Sequence, residues 1–398
     1  MNRVDIAIVG AGLVGTPLAH VLSRQGWSVA LIDAVSPGVV SRGAVNNTSV
    51  DAHHAALAQR CTALSLGTRQ WLDTNKLWQA ISADACAIDQ VHVSHKGYFG
   101  STRLQARELN VDAVGYVVNN DTLNTTFRQQ IAGTVVQHIV GSPVKAVTYT
   151  CDAANIHYAG HTLSARLLIA ADGASSLVRE CAGINTGQVD YDQCAALGCV
   201  KLQGQHRNIA YERFTDSGPL ALLPRPDSYM SFVDCLDPSD REQVSSMSDT
   251  AYMQRLQKRF GYRLGRFESI GPRFVTPLVR IEATEQTGAR TVLLGNAARL
   301  LHPVGGQGYN LAMRDGAELQ RLLQQQRDND PGHHDLLAQF VKNRQNDQAQ
   351  VVQFTDLLAR GFRGKAAVPA HFRAMGLIAL DTFSPLRQRF ARRTMGLA

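Results

Sequence analysis

Three glycines spaced as Gly10-Ala11-Gly12-Leu13-Val14-Gly15 set the tightest limit on how this chain can fold. They follow the apolar run Val4 to Val9, which reads as a strand, and precede an apolar helical stretch from about Val14 to Gln25. Gly26 stops that helix, and Ser28 to Ile32 is a second strand closed by Asp33. Strand, glycine turn, helix, strand and terminal acid together make a βαβ unit with a parallel sheet. In that setting Gly12 lets the backbone approach a pyrophosphate and Gly15 lets helix and strand pack. Asp33 can accept a hydrogen bond from a ribose hydroxyl. Leu13 and Val14 complete the turn and join the candidate contacts. The unit is a dinucleotide site, and it does not separate NAD from FAD.

A second turn of this kind lies far along the chain, in Leu293-Leu294-Gly295-Asn296-Ala297-Ala298-Arg299-Leu300-Leu301-His302-Pro303-Val304-Gly305-Gly306-Gln307-Gly308-Tyr309-Asn310-Leu311. It reads as a buried strand from Thr291 to Leu294, a glycine-rich turn, and a helix that starts near Gly308. Gly305, Gly306 and Gly308 lack a Cβ, so the backbone can turn sharply and approach a ligand closely. The helix start offers free N–H groups and roughly +0.5 of a charge to an anion or an electron-rich ring edge. A third turn, Ala171-Asp172-Gly173-Ala174-Ser175-Ser176-Leu177-Val178-Arg179, follows the strand Ala165 to Ala170 and puts Ser176 and Arg179 on one helix face. Arg60-Cys61-Thr62-Ala63-Leu64-Ser65 is expected to open a helix carrying Leu64, Leu66 and Trp71. Arg60 at its start would meet a phosphate or a flavin edge, or else form a surface ion pair.

Between these turns the chain alternates strands and helices. Ser36 to Leu57, with His53 and His54, reads as a surface loop carrying solvated histidines. Asp121 is expected to cap a helix whose Leu123, Phe127 and Ile131 form a core-facing stripe. Val91 to Ser94, Val144 to Thr150 and Ile156 to Tyr158 read as strands. From Gln193 to Cys235 the pattern is strand-rich, with strands at Ala195 to Leu202, Ile209 to Phe214, Gly218 to Leu223 and Ser228 to Cys235. Asp249 to Phe260 is an amphipathic helix with Tyr252, Leu256 and Phe260 on one face. Helices follow over Leu311 to Gln326 and Leu336 to Leu358, and Gly361 to Pro369 reads as a basic linker. Leu377, Ile378, Leu380 and Phe383 give the tail an apolar character. A last helix starts at Ser384-Pro385, with Leu386 and Phe390 on one face among Arg387, Arg389, Arg392 and Arg393. Such a helix either docks on its own domain or lies on an anionic surface, where each Arg adds about 1 kcal/mol. The two readings can coexist.

The formal net charge of +7 suits an anionic cofactor, nucleic acid or a membrane surface. No block of Lys and Arg interleaved with aromatics supports nucleic acid. The seven cysteines are odd in number and contain no CxxC pair, which argues against a disulfide framework and a structural zinc site and for a reducing compartment. With the first strand beginning at Val4, no signal peptide is expected. No apolar run reaches the ~20 residues of a membrane span. There is no Ser/His/Asp set and no carboxylate pair placed for hydrolysis, so the chemistry is expected to belong to a cofactor.

On its three turns the chain resembles the single-component, FAD-dependent aromatic hydroxylases. Within them it is similar to the ubiquinone-biosynthesis hydroxylases, nearest to those acting on a 2-polyprenyl-6-methoxyphenol. The resemblance covers nearly the whole chain. It also takes in Phe99-Gly100, Gly218-Pro219-Leu220-Ala221 and Phe390-Ala391-Arg392-Arg393. It implies an α/β fold, with an FAD-binding Rossmann-like domain, an inserted, mostly antiparallel β-sheet substrate domain and C-terminal helices. The expected division is 1–75, 105–185 and 275–360 for the composite FAD domain, 76–104 and 186–274 for the substrate domain, and 361–398 for the tail.

By the same resemblance Gly10, Gly12, Gly15 and Asp33 hold the ADP half of FAD, although Glu is more usual at the last position. Asp172, Gly173 and Arg179 belong to a region linked to FAD and NAD(P)H. Asn296, Gly306, Gly308, Asn310 and Leu311 run along the ribitol and the isoalloxazine ring. Gly295-Asn296 stands where the broader family has Gly-Asp, a mark of the quinone branch, and Asn120 stands where relatives often carry Arg. The implied reaction has NAD(P)H, a transient co-substrate, reduce FAD. O₂ then adds to give a flavin hydroperoxide, and one oxygen passes to an electron-rich phenol. The protein must position the ring, exclude water and stabilise charge on the flavin, the last through the helix start at Gly308 to Asn310. Pro303 and His302 would face the substrate, His302 either orienting a phenol or serving the structure. The implied partners are a polyprenylated phenol, O₂, a membrane surface met through the tail, and other quinone-biosynthesis proteins. The expected location is cytoplasmic, peripheral at the inner face of a bacterial membrane. A hydroxylase of a soluble aromatic compound and a non-catalytic flavin-binding scaffold are the alternatives.

Overall fold

The computed structural model describes residues 2–34, 60–361 and 367–397. The expected loop Ser36 to Leu57, with His53 and His54, lies outside them. The chain opens with β1 (Asn2–Val9), α1 (Gly15–Arg24) and β2 (Val29–Ile32). Next come β3 (Cys61–Ser65), α2 (Leu66–Thr74), β4 (Cys86–Ile88), β5 (Gln90–His95), β6 (Ser101–Gln105), β7 (Gly115–Asn119), α3 (Asn120–Ala132) and β8 (Gln137–Ile139). A meander of β9 (Val144–Tyr149), β10 (Ala154–Tyr158) and β11 (His161–Ala170) leads to α4 (Leu177–Cys181). The middle holds β12 (Thr186–Leu202), β13 (Ile209–Thr215), β14 (Gly218–Pro224), β15 (Tyr229–Leu236), α5 (Arg241–Ser246) and α6 (Asp249–Phe260). Then follow β16 (Phe267–Ile270), β17 (Phe274–Ala283), β18 (Thr287–Gly288), β19 (Thr291–Leu293) and β20 (Arg299–Leu300). The helices α7 (Gln307–Gln325), α8 (His334–Gly361), α9 (Ala367–Thr382) and α10 (Ser384–Thr394) close the chain.

The first sheet runs β18-β19-β11-β1-β2-β8, and β10 and β9 extend it from β11. β19, β11, β1, β2 and β8 are mutually parallel. Both faces of β1 are buried from Ile6 on, which is why Ile6 to Val9 reads as a continuous apolar run. Ile6 and Ile8 pack with Leu18 and Leu22 of α1 and Leu319 and Leu322 of α7. Ala7 and Val9 pack with Val147 and Ile156 of the meander.

The second sheet runs β20-β17-β12-β15-β14-β13-β5-β6, with β16 beside β12. It is antiparallel except where β13 lies parallel to β5. β17 and β20 carry it past residue 274, and the polar Thr186 to Gln193 joins it because β17 pairs there, from Thr186 opposite Ala283. Tyr252, Leu256 and Phe260 of α6 pack on this sheet against Leu220, Leu222 and Phe232, each burial contributing roughly 1.5–3 kcal/mol.

Local expectations change at three places. Cys61 to Ser65 is a strand, paired from Cys61 opposite Asn119 to Ser65 opposite Gly115, so the helix starts only at Leu66, where Ser65 Oγ accepts from the Thr68 N–H. Arg60 therefore precedes a strand rather than a helix. The cap of α3 is Asn119, whose Oδ1 accepts from the Asp121 N–H at 2.7 Å. Asp121 sits in the first turn. Finally, α8 continues to Gly361 and α9 already includes Ala367 to Pro369, so of the expected linker only residues 362–366, outside the described residues, lie between helices.

Candidate cofactor and substrate site

The first turn separates glycines that packing demands from one that it does not. Gly10 has φ +106°, and a Cβ there would lie 2.3 Å from the Ala171 carbonyl oxygen. A Cβ on Gly15 would lie 2.0 Å from the Gly10 carbonyl oxygen. Around Gly12 nothing lies within 4 Å of that position, and the same holds for Gly173 and Gly308. Each of the three turns thus presents one glycine to open space. α1 starts at Gly15 with no side-chain cap, leaving its N–H groups to a ligand. Asp33 is buried at the end of β2 and takes a hydrogen bond from Arg128 Nη2 of α3 at 3.2 Å.

The three turns are knit together. Tyr309 OH donates to the Leu13 carbonyl at 3.2 Å. A Cβ on Gly295 would meet Val14 Cγ2 at 3.3 Å. Arg179 spans the second and third turns, donating from Nη1 to the Ala297 carbonyl at 2.9 Å and from Nη2 to the Ala174 carbonyl at 2.8 Å. Arg179 therefore braces the two turns. Asp172 Oδ2 accepts from the Val178 N–H at 3.3 Å, while Oδ1 is buried with no partner among the described residues. Buried oxygens are rarely left so, and a hydroxyl-bearing ligand such as a ribose or ribitol would complete it. Asn296 is exposed on the second turn.

Gly305 and Gly306 both have positive φ, 68° and 60°, and turn the chain into α7, which also starts without a side-chain cap. The Asn310 amide is fully engaged. Its Nδ2 donates to the Ala63 and Gly306 carbonyls, and its Oδ1 accepts from the Ser65 N–H and Thr68 Oγ1, all at 2.8 Å. Leu311 packs with Leu301, Val351 and Val352. These two side chains fasten the helix start in place, so what α7 offers a cofactor is backbone. Asn120 acts likewise, its Oδ1 accepting from Thr62 Oγ1 at 2.6 Å. Two uncapped helix starts, three open glycines and the unpaired Asp172 oxygen fit an elongated, phosphate-bearing dinucleotide.

Beside the Gly305-Gly306 turn lies a cavity of about 580 Å³. Its walls are the strands β5, β6, β13, β14 and β15, the turn Pro303 to Gly306, and the helices α8, α9 and α10. The lining is apolar, with Val91, Leu104, Phe214, Leu223, Leu377 and Phe390 among it. Glu212 is the one carboxylic acid among the described lining residues. Burial pushes its carboxyl up to about 7, and a hydrogen bond from the Gly305 N–H pulls the other way. Oε1 has no partner among the described residues. The sequence reading missed Glu212. The available signal was a charged residue at an inward position of the strand Ile209 to Phe214.

Of the expected substrate-side pair, Pro303 lines this cavity and His302 is not among the lining residues. His302 is buried below the turn. Its Nδ1 accepts from the Val304 N–H at 3.2 Å and its ring meets the edge of Tyr191 at a centroid distance of 4.9 Å. Burial pushes its imidazole down to about 4, against an upward pull from Asp356, and its Nε2 is buried with no partner among the described residues. Arg60 is exposed, and its carbonyl accepts from the Asn120 N–H at 2.9 Å.

Known proteins share this construction. The profile of the FAD binding domain family matches residues 122–355. The chain is 32% identical to a ubiquinone hydroxylase of Rhodospirillum rubrum, over 98% of this chain and 89% of that one. It is 27% identical to the 3-demethoxyubiquinol 3-hydroxylase of Escherichia coli, over 99% of this chain and 98% of that one. Among solved structures, p-nitrophenol 4-monooxygenase from Pseudomonas putida superposes with a TM-score of 0.78 over 99% of both chains at 16% identity. A probable FAD-dependent monooxygenase from Pseudomonas aeruginosa gives 0.76 over 95% of this chain and 100% of that one at 19% identity. The structural likenesses carry the fold, and the sequence matches carry the family. This chain belongs to the FAD-dependent aromatic hydroxylases, on their ubiquinone hydroxylase branch, and is a flavoprotein monooxygenase.

Proposed function

We propose that the protein hydroxylates the aromatic ring of a polyprenylated phenol in ubiquinone biosynthesis, using NAD(P)H and O₂. The observation that carries this reading is the apolar cavity that opens directly beside the Pro303 to Gly306 turn. FAD would lie along the three turns. Gly10, Gly12, Leu13, Val14, Gly15 and Asp33 would hold its ADP half, and Asp172, Gly173, Asn296, Gly306, Gly308, Asn310 and Leu311 the rest. Bound FAD supplies the activation of O₂ with electrons from NAD(P)H, which visits without a domain of its own. The phenol ring sits against Pro303, and its hydroxyl meets Glu212, whose carboxyl exchanges a proton near neutral pH. The apolar walls exclude water.

A chain of several isoprene units exceeds the cavity and must leave it. The exit is marked by apolar side chains that are both near the lining and exposed: Leu357 of α8, and Met375 and Ile378 of α9, with Phe383 and Leu386 beyond. Gly376, Leu377 and Leu380 of α9 line the cavity itself. Arg389, Arg392 and Arg393 of α10 are exposed and follow Leu386 along the same helix. α10 is also docked, with Ala391 and Met395 buried and the Phe390 ring against Phe354 at 5.6 Å. Among the described residues no helix is long and apolar enough to cross a membrane, so contact through this patch would be peripheral.

The test is NAD(P)H oxidation by the FAD-loaded protein in lipid vesicles. A prenylated phenol should stimulate it and yield a product heavier by one oxygen, while the unprenylated phenol stimulates weakly. Equal or better turnover of a soluble aromatic acid would replace the substrate assignment. Flavin binding with no substrate-dependent oxidation would favour a scaffold.

A further inference from the structure

The nine-stranded sheet has a second face. Side chains alternate along a strand. Val91, Leu104, Ala210 and Glu212 line the substrate cavity, so His92 and Arg103 point to the opposite side. Tyr211 is in register with His92, and His92 with Arg103, so three strands contribute one row. There they line a separate cleft of about 620 Å³, completed by Arg207 before β13 and Arg263 after α6. The described lining residues include no Asp or Glu. None of the three guanidiniums forms an ion pair among the described residues. Asp381, the acid that touches β6, takes the Arg103 backbone N–H at 3.0 Å and pairs instead with Arg387.

His92, at the back of the cleft, is 2% exposed. Its Nε2 lies 2.7 Å from Arg263 Nη1, and guanidinium can only donate, so the ring proton is on Nδ1, turned toward its own backbone. His92 thus holds the Arg263 guanidinium at the cleft without cancelling its charge. Three guanidiniums around one cleft with no carboxylate in its described lining are the complement of an anion with several acceptor oxygens.

We propose that this cleft binds a phosphate-class anion, held by Arg103, Arg207 and Arg263. The sheet stands between the cleft and the substrate cavity, so the occupant is neither the phenol nor the cofactor's own pyrophosphate. Two sources share this chemistry, a free phosphate or pyrophosphate and the headgroup of an anionic phospholipid.

The experiment uses FAD-loaded protein, so that the cofactor's phosphate site is already filled. One arm titrates sodium pyrophosphate and inorganic phosphate by calorimetry. The other measures flotation with vesicles of phosphatidylcholine, with and without phosphatidic acid. In each arm the wild type is compared with Arg207→Gln/Arg263→Gln, two exposed positions, and with Arg389→Gln/Arg392→Gln/Arg393→Gln in the tail. Binding in either arm that falls at least about tenfold in the cleft variant, at an unchanged flavin spectrum, supports the proposal. The arm that binds names the source. The absence of binding in both arms overturns it. So does binding that the cleft variant leaves intact, including vesicle binding that only the tail variant abolishes.

Discussion

The two working regions of this molecule are made from different materials. The cofactor region is built from backbone, through glycines without Cβ atoms, uncapped helix starts and carbonyls bridged by Arg179 and Tyr309. The substrate region is built from side chains that alternate across one sheet, with an apolar lining that holds one carboxyl among its described residues on one face, and a basic cleft with His92 and His206 on the other. The difference teaches where each tolerates change. Adding one carbon at a turn can be fatal, whereas a change of side chain in the sheet alters what is bound.

The largest effect is expected at Gly15. Gly15→Val would drive a side chain into the Gly10 carbonyl, and a loss of more than about 4 kcal/mol should leave no soluble, flavin-containing protein on expression. In the substrate half the matching weak point is a buried ion pair. Asp234 is fully buried and accepts from Arg259 Nε at 2.9 Å and Tyr252 OH at 3.1 Å. Asp234→Ala would leave the guanidinium without its counter-charge, at a cost of about 3–5 kcal/mol in urea unfolding. Asp234→Asn, which keeps hydrogen-bond acceptors, should cost less.

Gly12→Ala sharpens the contrast with Gly15. Its Cβ meets nothing in the protein, so unfolding should be unchanged while FAD affinity falls about 10- to 100-fold, equivalent to about 1.4–3 kcal/mol. If Gly12→Ala unfolds the protein, or binds FAD like the wild type, the division between packing glycines and ligand glycines is wrong.

The smallest effect concerns Glu212, raised from an ordinary 4.5 to about 7. Between these values the unfolded chain ionises first and binds fewer protons than the folded one, so stability falls as pH rises through this window. Below 4.5 and above about 7 the contribution is flat. Glu212→Gln removes the slope. Thermal melts from pH 4 to 8 should show the wild type losing about 2–4 °C relative to the variant, most of it between pH 5 and 7. Identical pH curves would show that this carboxyl does not titrate in the cavity.

The same contrast explains what could be read from the sequence. The first turn was legible because its constraints fall on neighbouring residues, with Gly10, Gly12, Gly15 and Asp33 spaced along one βαβ unit. The amphipathic α6 was legible from Tyr252, Leu256 and Phe260. Cys61 to Ser65 was misread because its partner strand β7 is distant in sequence, Ser65 pairing with Gly115 and Cys61 with Asn119, and pairing overrode local pattern. The role of the Asn310 side chain was hidden for a related reason. An Asn next to glycines looks ligand-facing, yet the partners that occupy its amide come from β3, from α2 and from the turn itself. The basic cleft depends on the register of β5, β6 and β13, which no local spacing encodes.

The most direct test of the central claim, that this enzyme hydroxylates a polyprenylated phenol, is the quinone-lipid profile of a strain lacking its gene. The account predicts accumulation of a prenylated phenol short of one hydroxyl, whose mass names the step, and restoration of ubiquinone by the wild-type gene. A normal ubiquinone pool in a strain with no second hydroxylase for that step would contradict it.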